Sequence, residues 1–280
     1  MMVIDFHTHC YPEKVVAKAL SAVQGRLEPA TDGTRDGLIA SMREAGIDYS
    51  LALGLVTNPA NSLGVNRWAA EQNRAPVFFT GSIHPDDPAP ETTLDFIADS
   101  GLKGIKLHPE YQRFEFSEER LFPLWERCCE LGLFVVTHAG YDIMFQPPWH
   151  TDPERLAAFH RRFPELRLVL AHLGSMTLWD DVEKYLLGLP VYFDLAFVTP
   201  EYIEPERLVR IIRRHGAEWI LFGTDSPWCS QKKQLAFIRS LPLTCEEREQ
   251  IFWKNAAMLL DLPDTAPVTC RTRLRIRRKA

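Results

Sequence analysis

Eight short runs of apolar and β-branched residues recur along the chain at intervals. Within most runs nearly every position is apolar, which is typical of strands covered on both faces of a parallel sheet. The segments between the runs are long enough for helices, so the order favours repeated strand–helix units. The predicted strands are residues 2–7, 48–55, 77–83, 102–107, 133–138, 167–172, 191–196 and 218–223.

Helix signals occupy the segments between these strands. Residues that cap helix starts are Thr34, Ser117 and Asp152. Glycines that suit helix ends are Gly46, Gly101 and Gly132. Eight strands, each followed by a helix, predict an α/β protein with a (β/α)8 TIM barrel in one domain, residues 1–262. An open doubly wound sheet is the competing fold, but no GxGxxG turn follows the first strand.

Composition narrows the class of protein. The chain has 280 residues, of which 46% are hydrophobic, enough for one large core. No apolar run reaches the length of a membrane span, and the first residues lack the pattern of a secretory signal. The six cysteines include no CxxC pair, which favours a reduced protein. We therefore expect a cytoplasmic protein without membrane contact.

The charges are distributed unevenly. The net charge is −5, and residues 271–279 hold six basic residues and no acid, so the remainder of the chain carries −11. We interpret residues 263–280 as a basic, solvated C-terminal tail. The acidic body argues against a nucleic-acid partner and leaves a small-molecule substrate, with a homo-oligomer left open.

The first strand ends in the sequence DFHTH. His7 and His9 are two residues apart, so their imidazoles point to the same face of the strand. Two imidazoles on one rigid strand are well placed to bind a metal ion. Because an HxH triplet also arises by chance, its interpretation depends on the other strand ends.

Three later strands also end on residues able to bind metal or transfer protons, namely His138, His172 and Asp225. Each follows an apolar run and precedes a small or turn-forming residue. The carboxyl ends of barrel strands meet at one face, where barrel enzymes carry their active sites. The sequence therefore predicts a metal site at this face.

At these residues the chain resembles the amidohydrolase superfamily, specifically the branch with small barrel hydrolases and metal-dependent, non-oxidative decarboxylases. The resemblance spans residues 1 to about 262 and rests on DFHTH, GIKLHP, THAG, AHLG and FGTDSPW. It implies that His7, His9 and His138 are metal ligands, with Asp225 as fourth ligand and proton acceptor. It also implies that His172 polarises a carbonyl or, if a second ion binds, becomes a ligand of that ion.

Chemistry argued from the residues agrees with the resemblance. An ion held by nitrogens and one carboxylate keeps a position for water and lowers its pKa. Zinc is the expected metal, as one ion or a pair, and manganese, iron and cobalt remain alternatives.

Lys106 and His108 lie on one face of the fourth strand. Lys106 is interpreted as an ammonium that binds a substrate carboxylate, with a carboxylated bridge between two metals and a structural ion pair as alternatives. His108 either contacts substrate or metal or closes a turn.

Several neighbours of these residues have two interpretations each. Tyr141 and Trp228 either line the substrate pocket or pack in loops. Asp194 either hydrogen-bonds a ligating histidine or forms a buried ion pair. Cys10 and Cys229 are interpreted as packing residues, His84 at most as a pocket-lining residue, and residues 146–150 as a specificity loop.

The leading functional hypothesis is a hydrolase that cleaves an amide, ester or lactone bond of a small, carboxylate-bearing substrate. The alternative is a metal-dependent non-oxidative decarboxylase that uses Asp225 and His172 for acid–base chemistry. A nuclease of the TatD-like barrel group is disfavoured because Lys106 stands where those proteins have glutamate. A barrel that only binds metal is the fourth hypothesis.

Overall fold

Short parallel strands occupy the predicted apolar runs in a computed structural model that describes residues 1–263. They form two sheets, in the order β1-β2-β3 and β4 to β9. The strands are β1 (Ile4–Thr8), β2 (Tyr49–Ala52), β3 (Val77–Phe79), β4 (Gly81–Ser82), β5 (Gly104–Leu107), β6 (Phe134–Thr137), β7 (Leu168–Leu170), β8 (Tyr192–Asp194) and β9 (Ile220–Leu221).

The third predicted strand, residues 77–83, is split into β3 and β4. Gly81 packs so closely on Ile97 that a Cβ atom on the glycine would lie 2.7 Å from the isoleucine side chain. The chain leaves β2 after Thr80, whose amide still donates to the Ala52 carbonyl, and continues alongside β5. The strands close into a barrel where the Phe6 amide in β1 donates to the Phe222 carbonyl just after β9, at 2.8 Å. The TIM-barrel prediction is therefore confirmed.

Helices follow the strands, as expected for this fold. The α-helices are α1 (Glu13–Ser21), α2 (Arg35–Ala45), α3 (Ser62–Gln72), α4 (Pro90–Asp99), α5 (Pro109–Gln112), α6 (Phe122–Glu130), α7 (Pro153–Arg162), α8 (Trp179–Tyr185), α9 (Pro205–His215), α10 (Gln231–Ser240), α11 (Cys245–Glu249) and α12 (Asn255–Leu259). Short 3-10 segments lie at Pro59–Asn61, Glu119–Leu121 and Ala217–Trp219, and a π-helical segment lies at Gln250–Lys254.

Most of the predicted helix boundaries are confirmed. Thr34 and Asp152 accept hydrogen bonds from the amides of Gly37 and Arg155, and the three predicted C-terminal glycines have positive φ. The start predicted at Ser117 is wrong, because α6 begins only at Phe122 after a 3-10 turn. Pro123 explains the difference, since proline cannot donate a helical hydrogen bond and suits only the first turn.

Two apolar clusters fill the fold. A smaller cluster joins alternate strand residues, such as Ile4, Phe6, Phe134 and Val136, to α12. The larger cluster lies between the opposite strand faces and the surrounding helices. Lys106 pairs in register with Val136, and it therefore shares the inner face of the barrel.

Two sequence predictions, on membrane contact and on the cysteines, are unchanged by the structure. No helix among residues 1–263 is long and apolar enough to cross a membrane. The five cysteines within that range are free, whereas Cys270 and the basic tail from residue 264 onward lie outside the described residues.

Candidate metal and substrate site

Two histidines from the end of β1 converge on one carboxylate oxygen. Nε2 of His7 lies 3.2 Å and Nε2 of His9 lies 3.0 Å from Oδ1 of Asp225. Two atoms that each lie about 2.1 Å from a shared ion are about 3.0–3.4 Å apart at octahedral or tetrahedral angles. The three ligand atoms, which also lie within 4.8 Å of one another, therefore fit a single divalent ion.

Hydrogen bonds on the far side of each ring direct these nitrogens inward. Nδ1 of His7 lies 2.7 Å from Oδ2 of Asp194, and Nδ1 of His9 lies 2.9 Å from the Leu53 carbonyl oxygen. Carboxylate and carbonyl oxygens only accept, so in the neutral form of each ring Nδ1 carries the hydrogen and Nε2 offers its lone pair beside Asp225. The prediction that Asp194 hydrogen-bonds a candidate ligand histidine agrees with this geometry.

Two strand-end residues adopt a backbone conformation that is rare outside glycine. His172 has φ 59° and Asp225 has φ 67°. The amide of His172 donates to Oδ1 of Asp194 at 3.0 Å, and the amide of Asp225 donates to the His7 carbonyl at 2.7 Å. Such strain persists where neighbouring contacts fix it, commonly at functional sites.

His138 and His172 lie beside this first cluster. Nδ1 of His138 is 3.1 Å from Nε2 of His172, whose Nδ1 lies 2.8 Å from the Ala196 carbonyl oxygen. The rings of His7 and His172 have centroids 5.3 Å apart. The tight three-residue group contains neither His138 nor His172, so the roles of His138 as a metal ligand and of His172 as an electrophile or second-metal ligand stay predictions.

A second cluster joins His108, His138 and Asp142. Nε2 of His108 lies 3.1 Å from Oδ2 of Asp142, and its ring stacks on that of His138 with centroids 4.2 Å apart. Sequence reasoning named His108 but missed Asp142. The only signal for Asp142 was its position four residues after His138, in a loop without a regular pattern.

Lys106 projects from β5 with 2% of its surface exposed. Among residues 1–263 its ammonium has neither an ion pair nor a hydrogen bond. Burial lowers the pKa of Lys106 to about 8, although Asp194, Asp225 and Asp142 act in the opposite direction. An unpaired, buried cation can bind an anionic ligand group without first breaking a contact.

The protonation states suit a metal site. Burial lowers the pKa of His138 and His108 well below the usual histidine value, so both rings are neutral near pH 7. Burial alone would raise the pKa of Asp225, but the charges and hydrogen bonds of His7 and His9 hold it well below its usual range. Neutral imidazole and ionised carboxylate are the forms that bind divalent metals. Burial would lower the pKa of His7, but the charge of Asp194 raises it, so an ion bound beside Asp225 would displace a proton from this ring.

A cavity of about 730 Å³ opens over both clusters. Its walls include the predicted substrate residues Lys106, His108, Tyr141 and Trp228. Sequence reasoning did not identify further lining residues contributed by distant loops, α1 and α5, namely Tyr11, Tyr111, Phe197, Tyr202, Lys14 and Lys18. The volume falls in the range of small-molecule sites, about 300–1,000 Å³.

Other residues singled out from the sequence lie around this cavity or away from it. Cys10 lines it, whereas His84 and Cys229 do not. In the predicted specificity loop, the amide and Nδ1 of His150 each lie 2.7 Å from an oxygen of Glu110. That contact fixes the loop to α5 outside the cavity wall.

Comparisons with known proteins agree with this geometry. The family model described as amidohydrolase matches residues 4–262. No curated protein matches the chain.

Several solved structures are similar over nearly the whole length. They include 5-carboxyvanillate decarboxylase from Sphingomonas paucimobilis, with 18% identity, a TM-score of 0.72 and coverage of 94% of this chain and 99% of that chain. A dihydroxybenzoic acid decarboxylase from a Polaromonas species, with bound manganese and the inhibitor 2-nitroresorcinol, has 17% identity and a TM-score of 0.71 over 93% of this chain and 97% of that chain. A candidate 2-pyrone-4,6-dicarboxylic acid hydrolase from Pseudomonas putida has 18% identity and a TM-score of 0.69 over 93% and 98%.

At such identities the structural likeness shows the barrel fold, while the family match spans His7, His9 and Asp225. The chain therefore belongs to the amidohydrolase family and is a metal-dependent enzyme with a TIM-barrel fold.

Proposed function

We propose that the protein is a metal-dependent, non-oxidative decarboxylase of a hydroxylated aromatic acid. The observation that carries the proposal is the buried ammonium of Lys106, which has no partner among residues 1–263 and lines the same cavity as the His7–His9–Asp225 cluster. This arrangement offers a carboxylate two cationic contacts, one from the lysine and one from an ion. The hydrolase hypothesis favoured by the sequence becomes the second candidate.

Aromatic side chains in the cavity wall suit an aromatic substrate. Tyr141, Trp228 and Phe197 line the cavity together with the ligand cluster. Rings of this kind contact a planar substrate over a large area and exclude water from it. The similarity to two decarboxylases of hydroxylated benzoates supports the same substrate class.

His7, His9 and Asp225 are the proposed ligands, with His138 as the fourth. Held there, a divalent ion would supply a Lewis acid that neutralises and orients the oxygens of the substrate. Manganese in the Polaromonas enzyme makes manganese the first metal to test, ahead of the zinc expected from the sequence.

In the proposed reaction the bond between the ring carbon and the carboxyl carbon breaks. The electron pair of that bond stays on the ring carbon, which takes up a proton, and CO2 leaves. Asp225 is the proposed proton relay, which takes a proton from solvent water and delivers it to the ring carbon: Oδ1 faces the histidines, whereas Oδ2 has no hydrogen bond to any residue from 1 to 263. A carboxyl group of low pKa gives up its proton readily once it has acquired one. His172 is the residue proposed to support the developing charge on substrate oxygen.

Hydrolysis remains the second candidate because Asp225 could equally take a proton from a water bound at the ion. The similarity to the candidate hydrolase of a pyrone dicarboxylate favours keeping it. The two reactions change the mass differently: decarboxylation removes CO2, whereas hydrolysis adds water.

Product masses distinguish them. The manganese-loaded protein is incubated with hydroxybenzoates, esters and lactones in deuterium oxide. We expect a hydroxybenzoate to lose the mass of CO2 and to gain one deuterium on the ring. A product that instead gains the mass of water from an ester or lactone, with every benzoate unchanged, would replace the decarboxylase by the hydrolase.

A further inference from the structure

The helix α1 forms part of the cavity wall although none of its residues is buried. Its lining residues recur one turn apart, as Lys14 and Lys18, then Val15 and Ala19, and Ala22 continues the second row just after the helix. Residues at this spacing share one face of a helix. The face is apolar along its middle and carries two ammonium groups at its edge.

Neither lysine is engaged elsewhere. Among residues 1–263 the side chains of Lys14 and Lys18 have no hydrogen bond and no ion pair. The carboxylates that line the cavity are Asp142 and Asp225, and both are bound to histidines. The mouth of the cavity thus carries a local excess of positive charge in a chain whose net charge is −5.

Contacts with neighbouring segments hold the helix region in this position. The Tyr11 amide donates to the Gly33 carbonyl at 2.9 Å, just before the helix begins. After the helix, the Arg26 guanidinium donates to the Ile143 carbonyl on the opposite rim. Because these contacts lie at both ends, Lys14 and Lys18 face the cavity without further rearrangement.

The size of the cavity leaves room for a ligand group at this rim. A volume of about 730 Å³ lies in the upper part of the range for small-molecule sites. A single aromatic ring with one carboxylate fills only part of it. The ion cluster and Lys106 account for one end of a ligand, and the α1 face remains for the other.

We infer that Lys14 and Lys18 form a second anion subsite and that the substrate is an acid with two anionic ends. One carboxylate lies at Lys106 and the ion cluster, and the second anionic group lies at the α1 lysines. The inference rests on the proposed function for the reacting end of the substrate. It adds the distal charge as the determinant of specificity.

Binding of non-reacting ligands tests this subsite. The manganese-loaded protein is titrated calorimetrically with paired acids, namely benzoate and terephthalate, and the mono- and dicarboxylates of naphthalene and biphenyl. In the native protein we expect the second carboxylate to tighten binding about three- to ten-fold in at least one of the longer pairs. Lys14→Gln/Lys18→Gln should reduce that dicarboxylate to the affinity of its monocarboxylate partner.

Two controls define the result. Lys233→Gln removes an exposed lysine of α10 that lies outside the cavity wall and should retain the advantage of the dicarboxylate. Lys106→Met should weaken both members of a pair by similar factors. The inference is overturned if no dicarboxylate binds more tightly than its partner, if the advantage survives the double substitution, or if the double substitution weakens both acids equally. Since no turnover is measured, failure of the decarboxylase proposal would leave this result interpretable.

Discussion

Oδ2 of Asp194 lies 2.7 Å from Nδ1 of His7, and Oδ1 of the same carboxylate accepts the backbone amide of His172 at 3.0 Å. One buried side chain thus fixes the ring of a proposed ligand and the strained strand end of a second site residue. Burial would raise the pKa of Asp194, but the charge of and the hydrogen bond from His7 lower it to about 2. The carboxylate therefore stays ionised across the working pH range.

Asp194→Asn should weaken metal binding about 10- to 100-fold, because the amide cannot fix the His7 ring as the carboxylate does. Competition against a chelating dye measures the metal affinity directly. Asp181→Asn, at an exposed position on α8, provides the matched control and should keep the native affinity. Unchanged affinity in Asp194→Asn would show that the contact does not orient the ligand.

Asp225→Asn should lower turnover by about two to four orders of magnitude, because the amide has no carboxyl proton to deliver. Rates are compared at metal concentrations that saturate each protein, with metal content determined on the same samples. Circular dichroism should show an unchanged fold. A rate within a few-fold of the native value at equal occupancy would remove Asp225 from the proton-transfer step.

The pKa of about 8 for Lys106 predicts how carboxylate binding depends on pH. The ammonium is charged below that pKa, so inhibitor affinity should fall as the pH rises through it. A cation bound nearby lowers the pKa of Lys106, so it can only move this fall in affinity, the limb of the pH profile, to lower pH. Lys106→Arg should bind without the limb, since arginine stays protonated, and Lys106→Met should bind weakly at every pH. The same limb in Lys106→Met would assign it to another group.

Asp5 lies beneath the site and accepts hydrogen bonds from the Thr224 hydroxyl at 2.6 Å and from Nε2 of Gln231 at 2.7 Å. Asp5→Asn would direct an amide hydrogen at one of these donors. We expect it to reduce the free energy of unfolding by about 2–3 kcal/mol, measured in urea on the metal-free protein.

The size of this deficit should depend on pH. Burial raises the pKa of Asp5 from 3.8 to about 7, so the folded state binds a proton that the unfolded state has released between these values. The native protein accordingly loses stability as the pH rises from 3.8 to about 7, and the deficit of Asp5→Asn should shrink over that interval. A deficit that grows with pH would contradict the raised pKa. Thr224→Val should be non-additive with Asp5→Asn, because both act on one network.

The barrel and the ends of its strands follow from local patterns, and so sequence reasoning reached them. His7 lies in β1, His9 directly follows it and Asp225 follows β9, so strand periodicity and barrel topology together predict their meeting. Asp142 and the α1 lysines were not predictable in this way. They lie on loops or on a short exposed helix, whose position depends on tertiary contacts such as that between Arg26 and Ile143.

The split of the third strand was also beyond local pattern. Residues 77–83 match the pattern of a single strand, and the break at Thr80 falls where the chain changes from pairing with β2 to pairing with β5. For Lys106, the place on the inner face of the barrel was predictable from strand alternation, but its lack of a partner was not. Its lack of a partner depends on where the surrounding carboxylates lie in three dimensions.

The central claim is that the His7–His9–Asp225 cluster holds the ion on which decarboxylation depends. The most direct test follows CO2 release from a dihydroxybenzoate while metal-free protein is titrated with manganese, in parallel for the native chain and for His7→Ala/His9→Ala. We expect release to rise with metal occupancy in the native protein and to be absent, together with bound metal, in the double variant. Release from metal-free protein, or full metal occupancy in the double variant, would contradict the account.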